Sequence, residues 1–425
     1  MSIDEAPVRP RPARRDILAA QTSARPVRRV ALFTGNYNYM RDGASQAVHR
    51  LVEYLEQVEG AQVRIYAPTS RTPAFDPDRS IVSIPSIRIP GRSEYRLALG
   101  LPDSVKADVR RFDPDIIHLA TPDLLGRQAL RLARVLGVPA VSSLHTRFES
   151  YFDYYGLGWL KPWAEQRLHD FYRGCDFVLA PTVTIAERLA ADGLPGRVRL
   201  WSRGVDRDLF DAARRDLPWR RAQGWSDDDI AVAFFGRVVL EKGPSLFADV
   251  IDTARAACPN IRAVVIGDGP ARAWLAKRLP EATFTGFLSG ADLAKAVASA
   301  DVLLNPSVTE AFGNVTLEAM AAGLAVVCAN APSHRALVSD GVSGFLRPAQ
   351  DVVAYAEAVV ELARHPDRRA RIGKAAREAS QHYSWTAALD SVVKVYGEAL
   401  EGCARERMPP RVTPAALVSS AGATP

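Results

Sequence analysis

A series of short apolar runs, most closed by a glycine or a polar turn and followed by an amphipathic stretch, constrains this chain more than any other feature. In order they are RVALFTG from Arg29, QVRIYAP, IVSIPS, PDIIHLA, PAVSSLH and CDFVLAPT, then IAVAFFGR from Ile230, IRAVVIGDGP, ATFTGFLS, ADVLLNPS and the run Ala325 to Cys328. Runs of this length without strict polar alternation read as strands buried on both faces, the habit of a parallel sheet. Helical stretches alternate with them, as in SQAVHRLVEYLEQ, where Val48, Leu51, Val52 and Leu55 recur at helical spacing; further helices are expected around Leu97 to Phe112 and Leu124 to Leu136. The expected class is α/β with doubly wound parallel sheets.

A length of 425 residues exceeds what one core usually serves, so two domains are expected. RVRLWSRGVD closes the first strand series, Asp206 to Trp219 reads as the crossing, and an amphipathic helix from Trp385 to Leu400 has Leu389, Val392, Val393 and Tyr396 on one face. The expected organisation is a first domain of residues 29–206 plus 385–402 and a second of 207–384. Residues 1–28 and 403–425, rich in Pro, Arg and Ala without periodicity, read as disordered tails.

Partners are limited by charge. The 54 basic and 48 acidic residues leave a net charge of +6, modest for this length, which does not imply nucleic-acid binding but is compatible with attraction to anionic lipid. Cys175, Cys258, Cys328 and Cys403 are scattered, with no CxxC and no histidine at ligand spacing, so neither a metal site nor a disulfide framework is expected and a reducing cytoplasm is. No run approaches the roughly 20 apolar residues of a membrane-spanning helix. A soluble protein, or one peripheral at the inner face of the cell membrane, is the expectation.

Ligands of open α/β sheets gather at the carboxyl ends of the strands, where loops and first helical turns offer unpaired N–H groups. In NPSVTEAFGNVTLEAMAAGLAVV that position holds Glu310 at the mouth of a loop and Glu318 inside a helix opening near Phe312 to Val315. An ionised carboxylate accepts from O–H donors, so the pair suits sugar hydroxyls; a loop acid beside a solvated helix acid is the plainer account. Gly236 and Arg237 end the run IAVAFFGR, and Lys242 follows five residues on; two cations there suit a diphosphate. Gly267, Asp268, Gly269 and Pro270 form a tight turn that lets backbone approach a planar ligand. His145 sits just past SSLH on the same side, either as a site residue or as a half-buried loop histidine. The loop around Gly43 and Ala44 can receive an anion through backbone N–H groups. Neither GxGxxG nor GxxxxGK[ST] occurs. Asp113 and Asp115, and likewise Asp227 to Asp229, precede strands, at the wrong end for a ligand, and read as turn chemistry. The aromatic run TRFESYFDYYGLGWLKPW after His145 reads as a packed helix surface, an apolar acceptor tunnel or a membrane-facing lip.

The set GR(x)3EKG, GDGP, FTGF and SVTEAFGNVTLEAMAAG, in that order, resembles the nucleotide-sugar half of the retaining GT-B glycosyltransferases of family 4. The resemblance covers nearly all of residues 29–400. Through Arg203 to Asp206 (RGVD) and Phe312 to Val315 (FGNV) it is closest to GDP-mannose-dependent α-mannosyltransferases and sulfoquinovosyl-lipid synthases. It implies two Rossmann-like domains facing a cleft, with the last helix returning to the first. It implies that Arg237 and Lys242 grip the leaving diphosphate, that Gly267 to Pro270 with Phe287 and Leu288 hold the base, and that Glu318 binds the ribose. Glu310 and the backbone of Ala311, Phe312, Gly313, Asn314 and Val315 would face the transferred sugar, with His145 beside the reacting carbon. The family commonly has two adjacent glycines where Asp42-Gly43-Ala44 keeps one. The implied activity is metal-independent, retaining transfer of a hexose, mannose from GDP-mannose first, to a lipid or glycan acceptor, with no cofactor. A UDP-sugar donor carrying glucose, glucuronate or sulfoquinovose is the alternative within that chemistry. An epimerase or phosphorylase of the same fold, or a non-catalytic nucleotide-sugar binder, are the alternatives outside it.

Overall fold

The computed structural model describes residues 27–37, 42–70, 81–89, 92–145, 156 and 158–407. The expected tails over 1–26 and 408–425, and the aromatic residues from Phe148 to Tyr155, lie outside them.

Two all-parallel sheets carry the architecture. The first has seven strands, β1 (Arg29–Phe33), β2 (Gln62–Ala67), β3 (Ile81–Ser83), β6 (Ile116–Leu119), β7 (Ala140–Ser143), β8 (Phe177–Ala180) and β9 (Val198–Leu200), in the order β3-β2-β1-β6-β7-β8-β9. The strands β4 (Ser86–Ile89) and β5 (Arg92–Ala98) form a separate antiparallel hairpin. The second sheet has six strands, β10 (Ile230–Phe235), β11 (Ile261–Ile266), β12 (Thr283–Gly286), β13 (Val302–Asn305), β14 (Ala325–Ala329) and β15 (Phe345–Arg347), in the order β12-β11-β10-β13-β14-β15. In each sheet the winding reverses beside the first strand, between β1 and β6 and between β10 and β13. At such a point successive loops leave in opposite directions and open a crevice.

The apolar runs form these strands because both faces are covered. Val232, Phe234, Val265 and Leu304 belong to one buried cluster of the second domain and Ala233, Val264 and Leu303 to another. In the first sheet Ala31, Phe33 and Ile117 face one layer and Val30, Leu32 and Ile116 the other. That other layer is completed from the far end of the chain. The returning helix, Trp385–Arg407, contributes Ala388, Leu389, Val392, Val395, Tyr396 and Ala399 to it, a stripe at helical spacing. The helix packs on the helix Gly43–Gln57 and on β7 and β8.

Some local expectations change. The helix expected from Leu97 begins only at Asp103: Gly100 adopts φ +111° and Pro102 stands at the N-cap, so Leu97 remains in β5. IVSIPS is split at Pro85 into β3 and β4, and of RVRLWSRGVD only Val198–Leu200 is strand. The crossing contains a 3-10 turn, Ala212–Arg214, and the helix Leu217–Ala222 starts inside it. The returning helix runs to Arg407, past the expected boundary at 402.

Where the chain crosses between domains, its two segments touch. Val205 N–H donates to Tyr383 O at 3.3 Å, and a Cβ on Gly204 would stand 2.1 Å from Trp385 N. Gly204→Ala is therefore expected to push the crossing segments apart and cost about 1–3 kcal/mol. Thermal unfolding checks this, and an unchanged Tm would contradict the packing.

Candidate functional site

Glycines let the loops of the second domain interlock. Gly236, with φ +127°, follows β10, and Gly267, with φ +139°, follows β11. A Cβ on Gly267 would lie 2.0 Å from the Gly236 carbonyl oxygen, and one on Gly269 2.4 Å from that of Val238. Only a hydrogen fits at either place. Val238 N–H then donates to Asp268 O at 2.9 Å and Ala271 N–H to Val238 O at 3.0 Å, binding the GR and GDGP segments together. The Asp268 side chain is exposed and accepts from Gly269 N–H at 2.7 Å. Gly267 also bridges to Gly286 at the end of β12, beside an exposed Phe287 and a half-buried Leu288. Gly236, Gly267, Asp268, Gly269, Phe287 and Leu288 thus share one edge.

Lys242 closes a 3-10 turn, Leu240–Lys242, and Gly243 in the left-handed region starts the helix Pro244–Ala257. Ser307 Oγ and Thr309 Oγ1 both donate to Glu241 O, at 3.3 and 3.2 Å, fastening this turn to the loop after β13. That brings Lys242 Nζ onto the Glu310 carboxylate in a half-buried ion pair. Arg237 lies two residues past the end of β10, half-buried. Burial works to raise the Glu310 pKa, but the Lys242 charge and hydrogen bond, aided by His334 and Ser307, hold it below the usual carboxylate range. For Glu318 the balance falls the other way. Burial pushes its carboxyl up to about 8, opposed only in part by Arg50.

The site helix, Asn314–Ala321, follows Gly313 at φ +100°, whose missing Cβ would meet Leu337 at 3.3 Å and His334 at 3.5 Å. Its seat is a buried polar cluster. Asn305 Nδ2 donates to Thr316 Oγ1 at 3.0 Å and to His334 Nε2 at 3.2 Å, while His334 Nδ1–H donates to Ala329 O at 3.0 Å.

The two domains meet at this helix. A Cβ on Gly43 would stand 2.5 Å from Asn314 Nδ2, and Ala311 belongs to the apolar cluster of the first sheet. Phe312 packs edge-on to Tyr383, with ring centroids 5.7 Å apart, and Val315 lies against Gly236. Arg50 faces Glu318, sits 3.9 Å from Asp206 and stacks over Trp385 at 4.9 Å. His145, half-buried past β7, has Ser143 Oγ at 2.8 Å and Arg203 Nη2 at 2.9 Å as its hydrogen-bond partners among the described residues. Arg237, Lys242, Glu310, Ala311, Phe312, Gly313, Asn314, Val315 and Glu318 therefore follow β10 and β13, the strands that flank the switch point of the second sheet; Gly43 follows β1 at the switch point of the first, and His145 follows β7, one strand beyond it. The aspartates expected in turns sit at the opposite ends: Asp115 accepts from the N–H groups of Arg28 and Arg29 at 3.0 and 2.9 Å, and Asp229 from Ser226 N–H at 2.7 Å.

Sequence reasoning missed Arg50, His118, Ser143, Asn305 and His334. A polar residue inside an apolar run, as in IIHL and VLLN, was the available sign for His118 and Asn305, because a polar group buried there needs a partner.

Two Rossmann-like domains that meet across their switch points, joined by a returning helix, are the GT-B architecture. Sucrose-phosphate synthase from Thermosynechococcus elongatus superposes with a TM-score of 0.69 at 20% identity, over 88% of this chain and 100% of that one. Residues 41–209 match the pattern of Glycosyltransferase Family 4 and residues 229–365 that of Glycosyl transferases group 1. The GDP-mannose-dependent alpha-mannosyltransferase of Mycolicibacterium smegmatis is 35% identical over 377 residues, 87% of this chain and 96% of that protein. The sulfoquinovosyl transferase of Arabidopsis thaliana is 32% identical over 388 residues, 88% of this chain and 74% of that protein. The chain belongs to Glycosyltransferase Family 4 and is a glycosyltransferase.

The raised Glu318 pKa has a measurable consequence. Between the unfolded value of 4.5 and about 8 the folded state keeps a proton that the unfolded state has lost, so this group lowers stability as pH rises through that window. Glu318→Gln is expected to raise Tm at pH 8.5 and to leave it nearly unchanged at pH 4. Equal shifts at the two pH values would remove the burial argument.

Proposed function

We propose that the chain transfers a hexose from a nucleoside diphosphate to a lipid or glycan acceptor with retention at the anomeric carbon, and that the donor is GDP-mannose. One observation carries this reading: Arg237 and Lys242 both follow the carboxyl end of β10, Lys242 is paired with Glu310, and Val315 in the first turn of the site helix lies against Gly236. As the glycosidic bond breaks, negative charge grows on the leaving diphosphate. Fixed cations and helix N–H groups act where that charge develops, so this reading needs neither metal nor cofactor. On a front-face route the leaving phosphate itself receives the acceptor proton. Glu310 then needs no role as a nucleophile; it orients Lys242 and the sugar hydroxyls. Glu318 binds the ribose hydroxyls, and Gly267 to Pro270 with Phe287 and Leu288 flank the base. The 35% identity to a GDP-mannose-dependent enzyme supports the donor. The comparable identity to a sulfoquinovosyl transferase supports a second donor, a nucleoside diphosphate carrying sulfoquinovose.

A lipid acceptor is supported by the aromatic surface that follows His145 in the chain. Trp159 and Trp163 are 75% and 59% exposed, and Arg167 stacks over Trp163 at 5.4 Å. Arg173 ends the same helix, Lys161–Arg173, and Arg131 and Arg134 lie on the neighbouring helix Leu124–Leu136, all three exposed. Exposed indole rings on a surface that also carries arginines suit the boundary of an anionic membrane, and we place the enzyme at the inner face of one. Among the described residues no helix is long and apolar enough to cross a membrane.

Purified protein incubated with a panel of sugar nucleotides, with and without membrane lipid, should release nucleoside diphosphate chiefly from GDP-mannose and chiefly when lipid is present. The anomeric configuration of the product, read by NMR, tests retention. Arg237→Ala and Lys242→Ala are each expected to lower kcat/KM by about 10²–10³-fold. Wild-type kinetics in both would sink the diphosphate clamp. Glu310→Gln should reduce transfer severely while circular dichroism stays native, and near-normal turnover would refute its role.

A further inference from the structure

A line of buried polar groups runs from the cleft to the returning helix. It begins at Arg203, whose Nη2 is 2.9 Å from His145 Nδ1; the other ring nitrogen, Nε2, is 2.8 Å from Ser143 Oγ. The same hydroxyl is 2.8 Å from His118 Nε2, and His118 Nδ1 is 2.7 Å from the Tyr396 hydroxyl. Arg203, Ser143, His118 and Tyr396 are all buried. The line crosses the loop after β9, then β7, β6 and the last helix, elements that share no local sequence.

One end fixes the direction of every bond. A guanidinium has donors and no acceptor, so Arg203 donates and His145 Nδ1 must offer a lone pair. A neutral imidazole then carries its hydrogen on Nε2, which donates to Ser143 Oγ. The single hydroxyl hydrogen of Ser143 is left for His118 Nε2, so His118 holds its own hydrogen on Nδ1 and donates it to Tyr396. A second hydrogen on His145 would point at Arg203, and one on His118 Nε2 would point at the Ser143 hydrogen. Arg203 is held in place by donating from Nη1 to Trp201 O at 2.8 Å and Ser202 O at 3.1 Å, with its guanidinium over the Trp201 ring. Trp201 also packs edge-on to His145, with centroids 5.1 Å apart. Among the described residues, the titratable and charged groups that face the two rings are Arg203 and Tyr396, and each ring faces the other. Burial, then the Arg203 charge and His118, lower the His145 pKa; burial alone pulls His118 down to about 3.

We propose that Arg203, Ser143, His118 and Tyr396 are positioning residues that lock His145 as its neutral Nε2–H tautomer, making it a fixed wall of the sugar subsite and not a proton acceptor. The functional half of this statement rests on the reading of the cleft as a sugar-transfer site. Both ring nitrogens of His145 are engaged inside the protein, so the ring offers the cleft an edge and no free base. A neutral ring also suits a sugar carbon that becomes electron-poor as its bond to phosphate breaks.

The tautomers can be read without substrate. In the full chain labelled with 15N-histidine, long-range 1H–15N spectra should show His145 protonated at Nε2 alone and His118 at Nδ1 alone, unchanged from about pH 5.5 to 8.5, a window around the ordinary histidine value. Arg203→Met should let His145 exchange between tautomers and titrate, and should lower kcat about tenfold or more with a much smaller change in donor KM. Arg203→Lys restores a donor to Nδ1 and should recover the tautomer and part of kcat. Tyr396→Phe leaves the His118 hydrogen without an acceptor and should lower kcat despite its distance from the cleft. A wild-type His145 that titrates near its ordinary value, or carries its hydrogen on Nδ1, would overturn the proposal, as would wild-type kcat in both Arg203→Met and Tyr396→Phe. Should Arg203→Met fail to fold, the wild-type spectra and Tyr396→Phe decide the matter. If wild-type protein turns over no sugar nucleotide, the transfer reading fails, while the spectra still decide the tautomer.

Discussion

A parallel sheet whose winding reverses cannot cover its own carboxyl edge at the point of reversal, because loops from neighbouring strands depart to opposite faces. This chain does so twice, between β1 and β6 and between β10 and β13, and the rest of the site follows from where those two gaps meet. The strands deliver N–H groups and helix amino ends to the gaps. What the sequence adds is residues small enough to let the loops touch and charged enough to act on what enters. Gly236 and Gly267 supply the first; Arg237, Lys242 and Glu310 supply the second.

The second domain separates two carboxylates that look equivalent in a string of letters. Glu310 is held ionised by Lys242, whereas Glu318 is pushed toward its protonated form by burial. Their environments differ because Glu310 lies on a loop fastened to the Leu240–Lys242 turn, while Glu318 lies on the site helix beneath the first domain. An ionised acid next to an ammonium is a fixed acceptor, and a half-buried acid with a raised pKa is one whose charge depends on its ligand.

The strand ends were legible because most apolar runs stop at a glycine or a polar turn, and the fold class and family followed from their order. The hairpin β4-β5 was not, since RSEYRLA contains nothing that excludes a helix until Gly100 and Pro102 are taken into account. Residue types at the site were legible as candidates, but their partnerships were not. Lys242 and Glu310 are 68 positions apart, and His118 and Tyr396 are 278 apart. Periodicity reports which face of its own element a residue occupies; it carries nothing about which loop or helix lies opposite.

The returning helix also has a consequence for how the molecule is made. Every strand of the first sheet is present once Leu200 has left the ribosome, yet one layer of its core still lacks the stripe from Ala388 to Ala399. The second domain, drawn from one continuous stretch of chain, can close first. During synthesis the earlier-made half therefore waits with an uncovered apolar face until Ala399 has emerged, which makes it the half in need of chaperone protection and a truncation near residue 385 a lesion of the first domain.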